Sequence, residues 1–128
     1  MPFSNAIEVG KQLVSLMRQN RWQDAVKSWY SADVLGIEAG APQPEMRRKE
    51  GIAAVLANGE WFADNHDIHA SEIRGPWPND ERFIIYFKLD VTAKSGPMAG
   101  KRFTIEEAGL YTVQNSKIVK VEFFYLGM

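Results

Sequence analysis

The chain contains 128 residues, and its 15 basic and 16 acidic residues give a formal net charge of −1 at neutral pH. Without a basic excess, nucleic-acid binding has no electrostatic support and is not expected, and no apolar run approaches the ~18 residues of a membrane span. The absence of cysteine excludes disulfides, thiolate metal ligands and cysteine nucleophiles, and it fits a cytoplasmic location. The length predicts a single domain over residues 1–128.

The first half of the sequence predicts three helices and one strand. Apolar residues at helical spacing predict a first helix that begins near an N-cap at Ser4 and ends at Asn20. A short helix over residues 22–29 and a strand over residues 34–38 follow. After a loop rich in glycine and proline, residues 48–64 predict the third helix.

The second half predicts four strands separated by turns that contain glycine, proline or asparagine: residues 66–74, 82–91, 102–113 and 117–125. In the second of these strands every other residue is apolar, which is typical of a strand with one buried face. The last strand is apolar on both faces, so a second copy of the chain is expected to cover its outer face near Trp77 and Phe124.

Helices followed by a meandering sheet are typical of an α+β domain. We predict a cone-shaped, curved antiparallel or mixed sheet that wraps around about three N-terminal helices and encloses a pocket. Aromatic residues make up 12% of the chain, and they would supply either a thick core or the walls of that pocket.

Three local motifs carry a resemblance to a known family: Trp-Tyr-Ser-Ala-Asp-Val at residues 29–34, Arg-Lys-Glu-Gly-Ile at 48–52, and Gly-Leu-Tyr-Thr-Val at 109–113. Together with the order of the predicted elements, they resemble the SnoaL-like, or polyketide cyclase-like, branch of the nuclear transport factor 2-like superfamily. The resemblance implies a cystatin-like cone fold with a ligand-binding pocket. It also implies either cofactor-independent isomerase, cyclase or dehydratase chemistry or non-catalytic binding, because one fold hosts many functions.

Glu38, at the end of the first predicted strand, is the first candidate catalytic residue. Its position resembles that of the proton-abstracting carboxylate of ketosteroid isomerases, and burial would raise its pKa toward the range of a general base. The alternative is a solvated carboxylate in the loop that follows. The resemblance is incomplete, because the oxyanion-stabilising tyrosine of those enzymes corresponds to Leu13 and their second donor falls near Ala108 or Gly109.

His66 and His69 are the two histidines of the chain. Residues three apart in a strand point to opposite faces, so the pair would not share a metal ion, and no metal is expected. One of them is expected to face the pocket, with His69 as a catalytic candidate and His66 as a ligand-binding candidate. The alternative is a histidine at a strand edge that faces water.

Glu107 shares an otherwise apolar strand face with Tyr111. A carboxylate on such a face must be paired, hydrogen-bonded or protonated, which makes Glu107 the third catalytic candidate. A buried phenol also needs a partner, so the two side chains together are expected to hold a polar group of a ligand. The alternative for Glu107 is a structural ion pair with Arg102 or Lys88.

Further aromatic side chains are candidates for ligand binding, with burial in the core as the alternative: Trp29, Trp61, Phe62, Tyr86, Tyr111, Phe123 and Tyr125. The sequence therefore predicts a pocket for a small, mostly apolar organic molecule and no cofactor. Two functions remain open at this point. One is an acid–base enzyme, and the other is a non-catalytic module for ligand binding or dimerisation.

Overall fold

The computed structural model describes residues 2–40 and 43–127, with the backbone alone described for residues 2–5. These residues form four helices: α1 (Pro2–Arg18), α2 (Trp22–Trp29), α3 (Pro44–Arg47) and α4 (Ile52–Asn65). They also form six strands: β1 (Tyr30–Ile37), β2 (Arg48–Glu50), β3 (His66–Asn79), β4 (Arg82–Ala93), β5 (Arg102–Gln114) and β6 (Lys117–Gly127). The predicted α+β class with N-terminal helices is confirmed. None of the described helices combines the length and apolar character needed to cross a membrane.

The described strands form one open, mixed sheet in the order β2-β1-β6-β5-β4-β3. Neighbouring strands are antiparallel except for β1 and β6, which pair in parallel. Two parallel strands need a long connection between them, and the chain that connects β1 to β6 contains most of the domain. This pairing places Gly36 of β1 beside Val121 of β6.

The core lies between α1 and one face of the sheet, which we call the inner face. Phe83 and Ile85 of β4 and Tyr111 of β5 are buried there, and Leu13 of α1 belongs to the same cluster. The alternation predicted for the strand over residues 82–91 is confirmed, because its even-numbered residues, such as Ile84, are exposed or only partly buried.

The helix predicted over residues 48–64 is wrong at its start. Residues Arg48–Glu50 form the edge strand β2, which pairs with β1, and α4 begins at Ile52. Gly51 between them has a φ of 90°, a left-handed conformation that favours glycine and interrupts a helix. The N-cap predicted at Ser4 is also wrong, because α1 already begins at Pro2.

The final strand carries a register shift that its sequence pattern does not reveal. Tyr111 pairs with Val121, whereas Val113 pairs with Ile118, so β6 contains one extra residue between these pairs. Ile118 is therefore fully buried, and Val119, which alternation places on the inner face, is only partly buried.

Candidate functional site

A cavity of about 310 Å³ lies between the inner face of the sheet and helices α2 and α4. Its volume falls at the lower end of the range for small-molecule sites. Most of the described wall is apolar or aromatic. Among the described residues that line the cavity, Glu38 and Glu107 are the charged groups, and none is lysine, arginine or histidine.

One row of paired residues crosses the sheet at the cavity. Ile73 of β3 pairs with Phe87 of β4, and Phe87 pairs with Glu107 of β5. Glu107 in turn pairs with Tyr125 of β6. Directly paired residues share a face of the sheet, and all four line the cavity. The Glu107 carboxyl therefore lies among apolar and aromatic neighbours.

Helix α4 supplies the opposite wall through one of its faces. Val55, Asn58, Gly59 and Phe62 follow the spacing of three and four residues that marks a helix face, and all line the cavity. The Trp22 ring of α2 rests against Gly59, where a Cβ atom would lie 2.6 Å from the ring. Glycine at this position therefore lets the indole pack directly on the helix backbone.

Glu38 follows the end of β1 and points toward α4. Asn58 donates a hydrogen bond from Nδ2 to Glu38 Oε1 at 2.9 Å. Burial raises the pKa of Glu38, and the positive charge of Lys49 partly opposes this rise. The carboxylate is thus fixed by an amide at one oxygen and held in surroundings that favour its protonated form.

Glu107 has no described cation as a partner. Arg102 donates to Asp90 from Nε and Nη2 at 3.0 and 2.7 Å, and Lys88 faces away from the cavity. The structural ion pair considered for Glu107 is therefore absent from the described residues. Burial, followed by repulsion from Glu38, raises the pKa of Glu107 to about 7.

Tyr111 contributes a hydroxyl group to the same cavity. Its ring stacks on Phe83 at a centroid distance of 4.9 Å, and the residue is 0% exposed. Burial raises the pKa of Tyr111 and of the neighbouring Tyr30, whose hydroxyl lies close enough to influence it. Even so, the Tyr111 hydroxyl forms no hydrogen bond of good geometry with any described group. The Tyr30 hydroxyl is one source of a partner for it, and a ligand or a water molecule in the cavity is another.

Neither histidine lines the described cavity. A register shift between Ile68 and Ala70 displaces His69, whose Nε2 is hydrogen-bonded to Thr92 Oγ1 at 2.7 Å on the exposed side of β3. His66 stacks on Phe62 at 4.1 Å and donates from Nδ1 to the Phe62 carbonyl at 2.9 Å. His66 therefore supports the cavity wall from behind, and His69 is remote from both glutamates.

Three of the predicted aromatic wall residues also lie outside the cavity. Trp61 is 60% exposed. Trp29 is partly buried beneath the ammonium of Lys117. Tyr86 lies on the outer face and donates a hydrogen bond to Glu106 at 2.6 Å. The structure thus brings together Glu38, Glu107, Tyr111, Phe123 and Tyr125 among the predicted site residues.

Several cavity residues were not predicted, namely Trp22, Tyr30 and Asn58, whereas Phe62 was predicted as a wall residue and lines the cavity. A sequence signal existed for Asn58, because it lies at helical spacing from Val55. Tyr30 carries no comparable signal, since its place at the start of β1 depends on pairing with β6.

Elsewhere, the described surface offers weaker candidates. A more open depression of about 380 Å³ lies between α1 and β3, and its charged side chains, Lys11 and Arg18, are exposed. Arg18 already donates to the Ile73 carbonyl. Among the described residues, no three histidine, aspartate or glutamate side chains cluster as a metal site requires.

Comparison with known proteins identifies the family. The sequence model of the SnoaL-like domain matches residues 5–125. The chain belongs to the SnoaL-like family. A crystal structure from Mesorhizobium loti is 33% identical to this SnoaL-like protein, with 92% of this chain and 97% of that chain covered and a TM-score of 0.84. That protein is named as a candidate SnoaL-like polyketide cyclase and also as a carbohydrate phosphatase.

More distant solved structures share the fold. A candidate SnoaL-like polyketide cyclase from Jannaschia sp. CCS1 is 13% identical, with 98% and 88% of the two chains covered and a TM-score of 0.73. A candidate isomerase from Bacillus subtilis is 14% identical, with the same coverage and a TM-score of 0.72. A comparison with curated proteins found no match.

Proposed function

We propose that this SnoaL-like protein binds a small, mostly apolar organic molecule and catalyses a cofactor-independent proton transfer on it. The observation that carries this function is a pair of carboxylates, Glu38 and Glu107, in one largely apolar cavity. Burial raises the pKa of both, as acid–base catalysis near neutral pH requires. Their convergence favours an enzyme over a purely structural module. The cysteine-free chain also supports the cytoplasm as its proposed location.

Glu38 is the residue that we assign to moving the proton. The hydrogen bond from Asn58 orients Oε1 and leaves Oε2 available to accept a proton. The positive charge of Lys49 favours the ionised, basic form of Glu38. No described group has this effect on Glu107. A positioned general base contributes typically about 10²–10⁴-fold to a rate. Isomerisation, cyclisation and dehydration all contain such a step.

Glu107 and Tyr111 are assigned to holding the polar group of the ligand. They lie on the inner face of β5, four residues apart, and both line the cavity. Among the described residues, the Tyr111 hydroxyl has the Tyr30 hydroxyl as a neighbour but forms no hydrogen bond of good geometry, and no cation pairs with Glu107. Hydrogen bonds to these groups are strong because the surroundings are apolar.

The names of the relatives favour the same class of reaction. Polyketide cyclase and isomerase are names borne by the Mesorhizobium loti, Jannaschia and Bacillus subtilis proteins. The phosphatase name of the Mesorhizobium loti protein suits this cavity less well. Phosphate is an anion that is usually held by arginine, lysine or a metal, and the described wall presents two glutamates instead.

Exchange of 2-indanone protons in D₂O tests the proposed proton transfer. This small apolar ketone has acidic protons beside its carbonyl, and NMR follows their replacement by deuterium. We expect the wild-type protein to accelerate exchange about 10²-fold or more over an equal concentration of acetate. Glu38→Gln should abolish the acceleration. Glu106→Gln, the same charge change at the neighbouring position on the outer face, should preserve it.

Exchange at the acetate rate in the presence of the folded wild-type protein would contradict the proposed catalysis. Loss of acceleration in Glu106→Gln to the same degree as in Glu38→Gln would show that charge alone, and not the cavity carboxylate, is responsible.

We also propose that two copies of the chain associate through the outer face of the sheet. Trp77 pairs with Ile84, and Phe124 pairs with Ala108 on the same face. Trp77, Ile84 and Phe124 are 53%, 40% and 48% exposed. Large contiguous apolar patches on soluble proteins mark interaction surfaces, and a two-fold dimer would bury the patch of both copies at once.

Size-exclusion chromatography with light scattering tests this association. We expect a dimer for the wild-type protein and a monomer for Phe124→Glu. Met98→Glu adds the same charge at an exposed position in the turn between β4 and β5, and it should remain dimeric. A monomeric wild-type protein at micromolar concentration would exclude the proposed dimer.

A further inference from the structure

We propose that the ligand of the cavity is an apolar organic amine, bound as its ammonium cation against Glu107 and the hydroxyl of Tyr111. This inference rests on the ligand site proposed above and specifies the chemical class of its occupant. It distinguishes amines from alcohols and carboxylates of the same shape.

The charge of the cavity wall favours a cation. Glu38 and Glu107 are the charged groups on the described wall, and they repel one another. Lys49 does not line the cavity, and its positive charge acts on Glu38. Among the described residues, no cation compensates the charge of Glu107. A buried carboxylate is stable when it is protonated or paired with a positive charge. The ammonium group of a ligand supplies that positive charge.

The aromatic rings around Glu107 suit the same ligand. Phe87 and Tyr125 flank Glu107 in the sheet, and Phe123 lies near both Phe87 and Tyr111 with centroid distances of 6.2 and 6.3 Å. The faces of aromatic rings carry partial negative charge and attract alkylammonium groups. The same rings pack against the hydrocarbon part of an apolar amine.

The hydroxyl of Tyr111 is a second polar group on the wall that a bound ligand can contact. It is fully buried on the cavity wall, and the neighbouring Tyr30 hydroxyl interacts with it without forming a hydrogen bond of good geometry. An ammonium N–H can donate to the phenol oxygen while another donates to Glu107. A neutral alcohol would satisfy Tyr111 but would leave Glu107 dependent on a proton. A carboxylate ligand would meet two like charges.

Binding of an amine should be coupled to release of a proton from Glu107. The pKa of Glu107 is about 7 because of its burial and the charge of Glu38. The other titratable groups facing it are the phenols of Tyr111 and Tyr125, whose pKa values are raised above the ordinary value. A primary amine stays protonated up to about pH 9. The affinity of the protein for the amine should therefore rise about tenfold from pH 6 to pH 8, because the ionised fraction of Glu107 rises by the same factor.

Three probes with one bicyclic frame test the inference by titration calorimetry at pH 8: 2-aminoindane, 2-indanol and indane-2-carboxylate. We expect 2-aminoindane to bind at least tenfold more tightly than 2-indanol, and indane-2-carboxylate to bind at least 100-fold more weakly than the amine. Equal or tighter binding of 2-indanol would overturn the amine proposal and leave the ligand site intact. Absence of binding by all three probes would overturn the ligand site itself.

Matched variants test whether Glu107 is responsible for the preference for the amine. Glu107→Gln should lower the affinity for 2-aminoindane at least tenfold and leave that for 2-indanol within threefold. Glu106→Gln should change neither affinity. Unchanged amine affinity in folded Glu107→Gln would overturn the proposal.

The pH series on the wild-type protein gives a second test that does not depend on whether the variant folds. An affinity for 2-aminoindane that is constant or falls from pH 6 to pH 8 would also overturn the proposal.

Discussion

At the level of single residues, the environment of Glu107 opposes its negative charge. Its ordinary pKa of 4.5 would leave it ionised at neutral pH, but burial and Glu38 raise the value to about 7. Desolvation is the larger cause, because the neighbours of Glu107 in the sheet, Phe87 and Tyr125, offer no compensating charge. The residue is therefore divided between protonated and ionised forms near physiological pH.

Replacing Glu107 by glutamine should make stability less dependent on pH. Between pH 4.5 and about 7 the folded state holds a proton that the unfolded state has released, so the free energy of unfolding falls as pH rises through this interval. The shift corresponds to about 3 kcal/mol. Urea denaturation from pH 4 to pH 8 should therefore show a shallower decline for Glu107→Gln than for the wild-type protein.

Glu106→Gln is the control for this measurement, since Glu106 lies on the outer face beside Tyr86. It should retain the wild-type pH dependence. Parallel curves for wild type and Glu107→Gln would show that Glu107 titrates at an ordinary pKa in the folded protein.

Strand alternation made some site residues predictable and others not. It placed Glu107 and Tyr111 on the buried face, as found. It also placed Tyr86 opposite to Phe87, so the prediction of Tyr86 as a wall residue conflicted with the pattern itself. The displacement of His69 could not be predicted, because it results from a register shift that depends on pairing with β4.

At the level of secondary-structure elements, the contact between α2 and α4 shapes the cavity. Gly59 lies inside α4, where glycine costs about 1 kcal/mol relative to alanine. The Trp22 ring occupies the space that a Cβ atom at this position would need. Gly59 thus lowers the intrinsic stability of helix α4, but it lets the indole pack on the helix and line the cavity.

Gly59→Ala should destabilise the protein despite the higher helix propensity of alanine. The rigid indole must move, which costs typically about 1–3 kcal/mol for an overpacked site. In a Trp22→Ala background the same change should stabilise by about 1 kcal/mol, because only the propensity gain remains. Unfolding free energies of the four proteins in this cycle measure the coupling. Stabilisation by Gly59→Ala in the wild-type background would contradict the contact.

The longer elements were predictable because their patterns extend over many residues. Helix Trp22–Trp29 and the starts of the last four strands agree with the sequence analysis. Strand β2 was missed because three residues show no period, and its pairing with β1 is a tertiary interaction. Residues 75–79 looked like a turn because of their prolines, yet they continue β3 and carry Trp77 in the sheet.

At the level of the whole molecule, the sequence predicts the α+β class but not the space inside it. Whether a pocket is open or filled depends on side-chain volumes and orientations that hydrophobic patterns do not specify. Trp61, which could have filled the cavity, points to solvent. Phe87 and Tyr125 lie on the wall and leave a cavity of about 310 Å³. The proposed function therefore depends on which residues meet at that cavity.

Glu38 and Glu107 share one largely apolar cavity, and a carboxyl ¹³C NMR titration of the glutamate side chains tests this arrangement most directly. We predict that Glu107 titrates at a pKa of about 7 and that Glu38 titrates above 4.5, with the Glu38 resonance responding to the ionisation of Glu107. Titration of both residues near 4.5, with no mutual response, would show two separate solvated carboxylates and would contradict the account.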